Sequence, residues 1–315
     1  MDADFAGALA RGLRQVPRGR VATCGTIARA LGDLRAARSV AAWILEHPET
    51  PAAHRVVTAD GRPLLAEAMA RLAKEDVRFV RGRVPPDRFM TRLQSVGLLT
   101  ALREQQIRLA GRVIERDDGG PIGRIAGADV AYQGDRMYAV AVSLDRESLE
   151  PLEIAAIRRP VEFPYVPTYL AYREFAGIEA AVNRLSHRPD ILFVDGHGRL
   201  HPALFGVACL AGVRLNLPTI VIAKHPLVGR VKSKSATEAD AFPIQYNGRT
   251  RGYAWLPPGR SRPIFISVGN RISLENALHV VQQATRRAYP EPLKLADRIS
   301  KEMKRNEKRE KGAKQ

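Results

Sequence analysis

The 315-residue chain carries 50 Lys and Arg against 33 Asp and Glu, a net charge of +17, with 45% hydrophobic residues. That hydrophobic content supports folded cores and excludes a simple disordered polyelectrolyte, while no apolar run reaches the length of a membrane span. Two cysteines, Cys24 and Cys209, are too few for a disulfide framework, and the excess positive charge selects polyanions as partners.

In chain order, residues 5–13 read as a short amphipathic helix and residues 16–20, VPRGR, as a turn. Residues 23–31 and 36–45 read as two helices parted by Gly32-Asp33-Leu34, the spacing of a helix-turn-helix, with Arg35 and Arg38 at the start of the second. Helix pairs with short turns also build ordinary cores, so the spacing alone leaves both readings open. Pro85-Pro86 marks a stiff boundary. Residues 92–116 read as one long basic helix through Leu98, Leu102, Ile107, Leu109 and Val113, broken at residues 117–120, DDGG.

Residues 124–132 and 137–145 read as strands joined by Gln133-Gly134-Asp135, a hairpin signature. Asp129 lies inside the first strand, where a carboxylate is costly unless it is paired, hydrogen-bonded or holding a metal. Next comes Tyr165, framed by Pro164 and Pro167, then a helical pattern through Leu170, Phe175, Ile178, Ala181, Val182 and Leu185 that carries Glu174. The buried run at residues 191–194 ends in Asp195, followed by Gly196-His197-Gly198, where the backbone can turn sharply. Converging carboxylates suit a hard cation such as Mg²⁺. The alternative is that Asp195 caps a helix and Glu174 is solvated.

Beyond Lys224, residues 229–243 read as a basic exposed loop, residues 253–256 and 264–268 as strands, and residues 273–288 as a closing helix capped by Ser273. The terminal KEMKRNEKREKGAKQ shows no apolar period, and residues 296–315 are expected to be a basic disordered tail.

The blocks AGADVAY, PYVPTYLAYRE, PDILFVDGHGRLHP, LPTIVIAKHPLVG and SVGNRISLENAL, in that order across residues 92–290, resemble endonuclease V, the deoxyinosine-directed nuclease. The resemblance implies an α/β, RNase H-like mixed sheet with flanking helices. It places Asp129, Glu174 and Asp195 as metal carboxylates for Mg²⁺, with Mn²⁺ as a substitute, His201 near the attacking water, and Lys224 on phosphate. Tyr165 matches the aromatic wedge that fills the gap left by an extruded base, and Gly196 and Gly198 the backbone of the pocket receiving it. The chain departs from the pattern at Asn270, read as standing where relatives have His or Asp, at Thr168, where many have Gly, and at His225, where Ser is common.

Upstream, VPRGRVATCGTIARALGDLRAARSVAAWILEHPETPAAHRVVTADGRPL resembles the DNA-binding domain of alkylguanine-DNA alkyltransferases, a small helical, winged helix-turn-helix-like domain. The transfer cysteine would precede His-Arg-Val, but Ala53 stands there, and a methyl group cannot accept an alkyl group as a thiolate does. The domain therefore resembles the noncatalytic alkyltransferase-like proteins. Arg38 falls on the arginine that enters the duplex, and His54 and Arg55 keep the rest of the motif.

Together these imply a domain of residues 1–88, a nuclease domain of residues 89–295 and the tail. The expected activity is nicking at the second phosphodiester 3′ of deoxyinosine in double- or single-stranded DNA, with alkylated-guanine DNA as a further partner of the first domain. A noncatalytic damage sensor and an endoribonuclease acting on inosine in RNA are the competing readings. The opening MDADFAGALARGL lacks an apolar signal core, so the expectation is a cytoplasmic protein, nucleoid-associated through DNA.

Overall fold

The computed structural model describes residues 3–117, 120–231 and 241–312, with side chains of the last helix described as far as Glu307. Most of the predicted basic loop at residues 229–243 thus lies outside the described residues. The chain divides into two compact units, Met1–Gln105 with Glu162–Pro167, and Gln106–Val161 with Thr168–Gln315.

The first unit contains α1 (Phe5–Leu13), β1 (Val21–Thr23), α2 (Cys24–Leu31), α3 (Ala37–Glu46), β2 (Val56–Val57), α4 (Ala68–Ala73), β3 (Phe89–Met90) and the start of α5 (Leu98–Ala110). Helix α1 begins where the Asp4 carboxylate accepts the Gly7 N–H at 2.7 Å, and α2 where Thr23 Oγ1 accepts the Thr26 N–H at 3.0 Å. Gly32, at φ 108°, ends α2. The helix pair expected from sequence is present, and β1 lies between β2 and β3 in a parallel sheet. The long helix expected over residues 92–116 is shorter. Gly97 takes φ 70°, outside the helical region, and the Val96 and Gly97 N–H groups both donate to the Ala30 carbonyl.

The second unit runs β4 (Arg124–Gln133), β5 (Arg136–Asp145), β6 (Pro151–Pro160), α6 (Leu170–Val182), β7 (Ile191–Asp195), α7 (Val207–Leu215), β8 (Thr219–Ala223), β9 (Arg230–Val231), β10 (Ala241–Tyr246), β11 (Arg249–Trp255), β12 (Ile264–Asn270), α8 (Leu274–Gln283) and α9 (Glu291–Gly312). Among the described residues its strands form one mixed sheet in the order β6-β5-β4-β7-β8-β12-β11-β10-β9, with helices on both faces. Strands β4, β7 and β8 are mutually parallel; the other pairings are antiparallel.

The side-chain period of two divides the core. Ile125, Val140, Ile191, Phe193, Ile220 and Ile222 join the cluster under α8 and α9, whereas Ala126, Ala128, Leu192, Val194 and Val221 join the one under α6 and α7. Counting on by twos places Asp129, Asp195 and Lys224 on the α9 face. Gly127 lets α9 come close: a Cβ there would lie 2.3 Å from the Pro292 carbonyl carbon.

Helix α9 corrects the expected disordered tail, since it reaches Gly312. Leu293 and Ala296 are buried, and Ile299 and Met303 pack against the same core, a helical spacing hidden under dense basic charge. Its Glu307 is 3% exposed, accepts from Arg136 Nη1 at 2.6 Å and from the Tyr138 hydroxyl, and lies 3.7 Å from Arg158. Removing that carboxylate leaves a buried hydroxyl and two guanidinium groups without it. Glu307→Ala is expected to lower stability by about 2–4 kcal/mol in denaturant unfolding. Replacing the half-exposed Arg158 by Ala should cost less than about 1 kcal/mol.

Candidate functional site

The C-terminal ends of the parallel strands gather the ionisable side chains. Register pairs Ala128 with Val194, so Asp129 and Asp195 follow at one level on adjacent strands and on one face. Asp129 Oδ2 accepts from Ser300 Oγ of α9 at 2.7 Å. Asp195 Oδ2 accepts from Lys224 Nζ at 3.1 Å and from the Tyr289 hydroxyl at 3.4 Å. Glu174, from α6, accepts from the Tyr132 hydroxyl at 3.2 Å.

These groups feel one another. Burial holds Asp129 above the usual carboxylate range, and the charges of Asp195 and Asp297 push the same way, against Ser300 and Lys224. Burial and then Asp129 and Asp195 push Glu174 up to about 8, the Tyr132 hydrogen bond opposing. Lys224 is raised by Asp195, Asp297 and Asp129, against burial. Asp297, which pairs with Lys301 at 2.7 Å, is thus a fourth carboxylate of the cluster that sequence reasoning missed, along with Ser300 and Tyr289. The signal was available, for Leu293, Ala296 and Ile299 define the helical stripe beside Asp297 and Ser300.

Among the described residues no three His, Cys, Asp or Glu side chains converge closely enough to share an ion. The donor set nevertheless suits a hard cation. It offers oxygens only, and burial together with the neighbouring carboxylate charges, which raise Asp129 and Glu174, is what a bound positive charge would offset.

Other expected site residues are used differently. His201 is 3% exposed; its Nδ1 accepts the Ala203 N–H at 3.1 Å, leaving Nε2 to donate to the Thr168 carbonyl at 3.0 Å. In this structure both nitrogens of the histidine expected beside the attacking water are engaged in a turn. Thr168 takes φ 70°, which explains why glycine suits this position, and its carbonyl also accepts from Gln106 Nε2 at 3.1 Å. Asn270 lies away from the carboxylates in its bonding: its Oδ1 accepts from Ile114 N–H at 3.0 Å and its Nδ2 donates to the Leu217 carbonyl. Gly196 takes φ 136°, and a Cβ on Gly198 would lie 2.3 Å from the Val268 carbonyl oxygen, so both are demanded by the backbone.

In the first unit Arg38 is exposed, whereas His54 is buried and Arg55 partly buried. Glu75 accepts from His54 Nε2 at 3.0 Å and from Arg55 Nη2 at 2.7 Å, and Arg55 also donates to the Val16 carbonyl. The two residues expected to contact substrate thus tie Glu75 into the core in this structure. Burial pushes the Cys24 thiol up to about 11, away from the thiolate form that the cysteine absent at Ala53 would need for transfer. Tyr165 is 61% exposed, as its Pro frame suggests.

A mixed sheet with carboxylates and a lysine at the C-terminal ends of its parallel strands places the candidate site of an α/β protein there. The Endonuclease V family profile matches residues 107–298, and that of the 6-O-methylguanine DNA methyltransferase DNA binding domain matches residues 4–77. An endonuclease V of Thermofilum pendens is 42% identical over 201 residues, 63% of this chain and 85% of that protein. The solved endonuclease V of Streptomyces avermitilis aligns at a TM-score of 0.62 and 34% identity, covering 66% of this chain and 94% of its own. That of Ciona intestinalis, in complex with a 24mer DNA containing an inosine followed by a ribo-adenosine, aligns at 0.59 and 24%, covering 66% and 98%. The chain belongs to the endonuclease V family and is a nuclease, with a methyltransferase-type DNA-binding domain fused ahead of it.

Glu75 gives the first unit a pH signature. Its carboxyl, opposed by burial, is held down at about 2 by Arg55, His54 and the Gly19 N–H, against an ordinary value of 4.5. Folded-state depression adds stability that is fully present above about 4.5 and is lost as pH falls through about 2, in all about 3 kcal/mol. Glu75→Gln should flatten that slope in acid unfolding followed by Trp43 fluorescence in a Trp255→Phe background.

Proposed function

We propose that this endonuclease nicks DNA at deoxyinosine, at the second phosphodiester bond on the 3′ side, using a divalent metal ion, Mg²⁺ or in its place Mn²⁺. The observation that carries the reading is the placement of Asp129 and Asp195 side by side on one face, bonded to Ser300 of α9 and to Lys224, with Asp297 and Glu174 in electrostatic reach. The Ciona intestinalis relative's complex with inosine-containing DNA supports the choice of lesion.

Asp129, Glu174, Asp195 and Asp297 would hold the cation, which when bound polarises a phosphoryl oxygen and lowers the pKa of water. Lys224, now paired with Asp195, exchanges that partner for a phosphate oxygen of the strand. Tyr165 fills the space left by the extruded base and offsets part of the unstacking cost, about 1–3 kcal/mol. The backbone at Gly196 and Gly198 lies beside the base, and His201 acts indirectly, by fixing the Thr168 turn. The fused domain contributes DNA affinity, with Arg38 entering the duplex at damaged sites such as alkylated guanine, and no group transfer.

The test is an end-labelled duplex with one deoxyinosine, incubated with Mg²⁺ or Mn²⁺. The intact protein should give a single nick one nucleotide beyond inosine, and Asp195→Ala should lower its rate at least about 100-fold. Absence of cleavage with either metal, with tight binding retained, would contradict the reading and favour a damage sensor.

A further inference from the structure

The segment Glu162–Pro167 belongs to the compact unit built by residues 1–105, although it comes from the middle of the chain. Two contacts fasten it there. Ser39, 4% exposed on α3, donates through Oγ to the Tyr165 carbonyl at 2.5 Å. Phe163, 1% exposed, meets Phe5 edge-on with ring centroids 5.7 Å apart, and Phe5 in turn packs on Trp43 at 5.4 Å. Val166 is fully buried. Against these anchors the Tyr165 side chain stands exposed, framed by Pro164 and Pro167, which limit backbone freedom. Ser39 directly follows the exposed Arg38.

We propose that the methyltransferase-type unit positions the Tyr165 wedge, with Ser39 as the positioning residue and the Phe5–Phe163 contact as its anchor. The fused domain thereby takes part in lesion recognition by the nuclease, beyond adding DNA affinity. This rests on the wedge role given to Tyr165 above. A preformed wedge costs no ordering when the base leaves the stack, so loosening the segment slows the step that needs the aromatic ring in place.

Two readouts on the full-length protein test this. In hydrogen exchange, Ser39→Ala should raise exchange within residues 162–167 about tenfold and leave the sheet unaltered. In single-turnover nicking of the inosine duplex, Ser39→Ala should slow the rate about 3- to 10-fold, the effect of one hydrogen bond, yet change it less than about 1.5-fold in a Tyr165→Ala background. Phe5→Leu should reproduce both effects. Unchanged exchange, or equal losses in the two backgrounds, would overturn the proposal. If the intact protein does not nick inosine DNA, the functional reading fails separately, and the exchange result alone decides whether Ser39 holds the segment.

Discussion

Carboxylates that repel one another are held together at the ends of β4 and β7, and the rest of the second unit is arranged to keep them there. Two parallel strands in register set Asp129 beside Asp195, a spacing of about 4.8 Å between backbones. Each acid then receives its own donor: Ser300 for Asp129, Lys224 and Tyr289 for Asp195, Tyr132 for Glu174. The donors come from β4, from the end of β8 and from the chain entering and forming α9. A cation would replace this distributed compensation with one central charge, which is why the arrangement suits metal-assisted hydrolysis.

Helix α9 serves both stability and chemistry. Its apolar stripe closes the core under the sheet, Gly127 allows the close approach, and Glu307 ties its far end to Arg136 and Tyr138. The same docking delivers Ser300 and Asp297 to the cluster. Loss of the helix would therefore remove a hydrogen-bond donor and a carboxylate from the site as well as core burial.

The hairpin of β4 and β5, the strand ending in Asp195 and the Pro-framed exposed Tyr165 were legible because each follows a local rule: a turn signal, an apolar run, a rigid frame. What was not legible depends on partners distant in sequence. His201, His54 and Arg55 have the residue types of a reactive site, yet both ring nitrogens of His201 bond Thr168 and Ala203, while His54 Nε2 and the Arg55 guanidinium bond Glu75 and Val16. Asn270 was read as the weak point of the metal set, but its amide serves Ile114 and Leu217, while Asp297, from a segment read as tail, adds a negative charge felt by Asp129. The positive φ at Thr168 likewise shows why glycine suits a position whose departure the sequence could note but not interpret.

The central claim is that Asp129, Asp195, Glu174 and Asp297 form one cation seat. Mn²⁺ titration of the intact protein, followed by electron paramagnetic resonance, tests it most directly. The account predicts saturable binding that weakens at least about tenfold in Asp129→Asn and in Asp297→Asn, with Glu147→Gln, on the exposed surface, unchanged. Equal affinity in all three variants would contradict it.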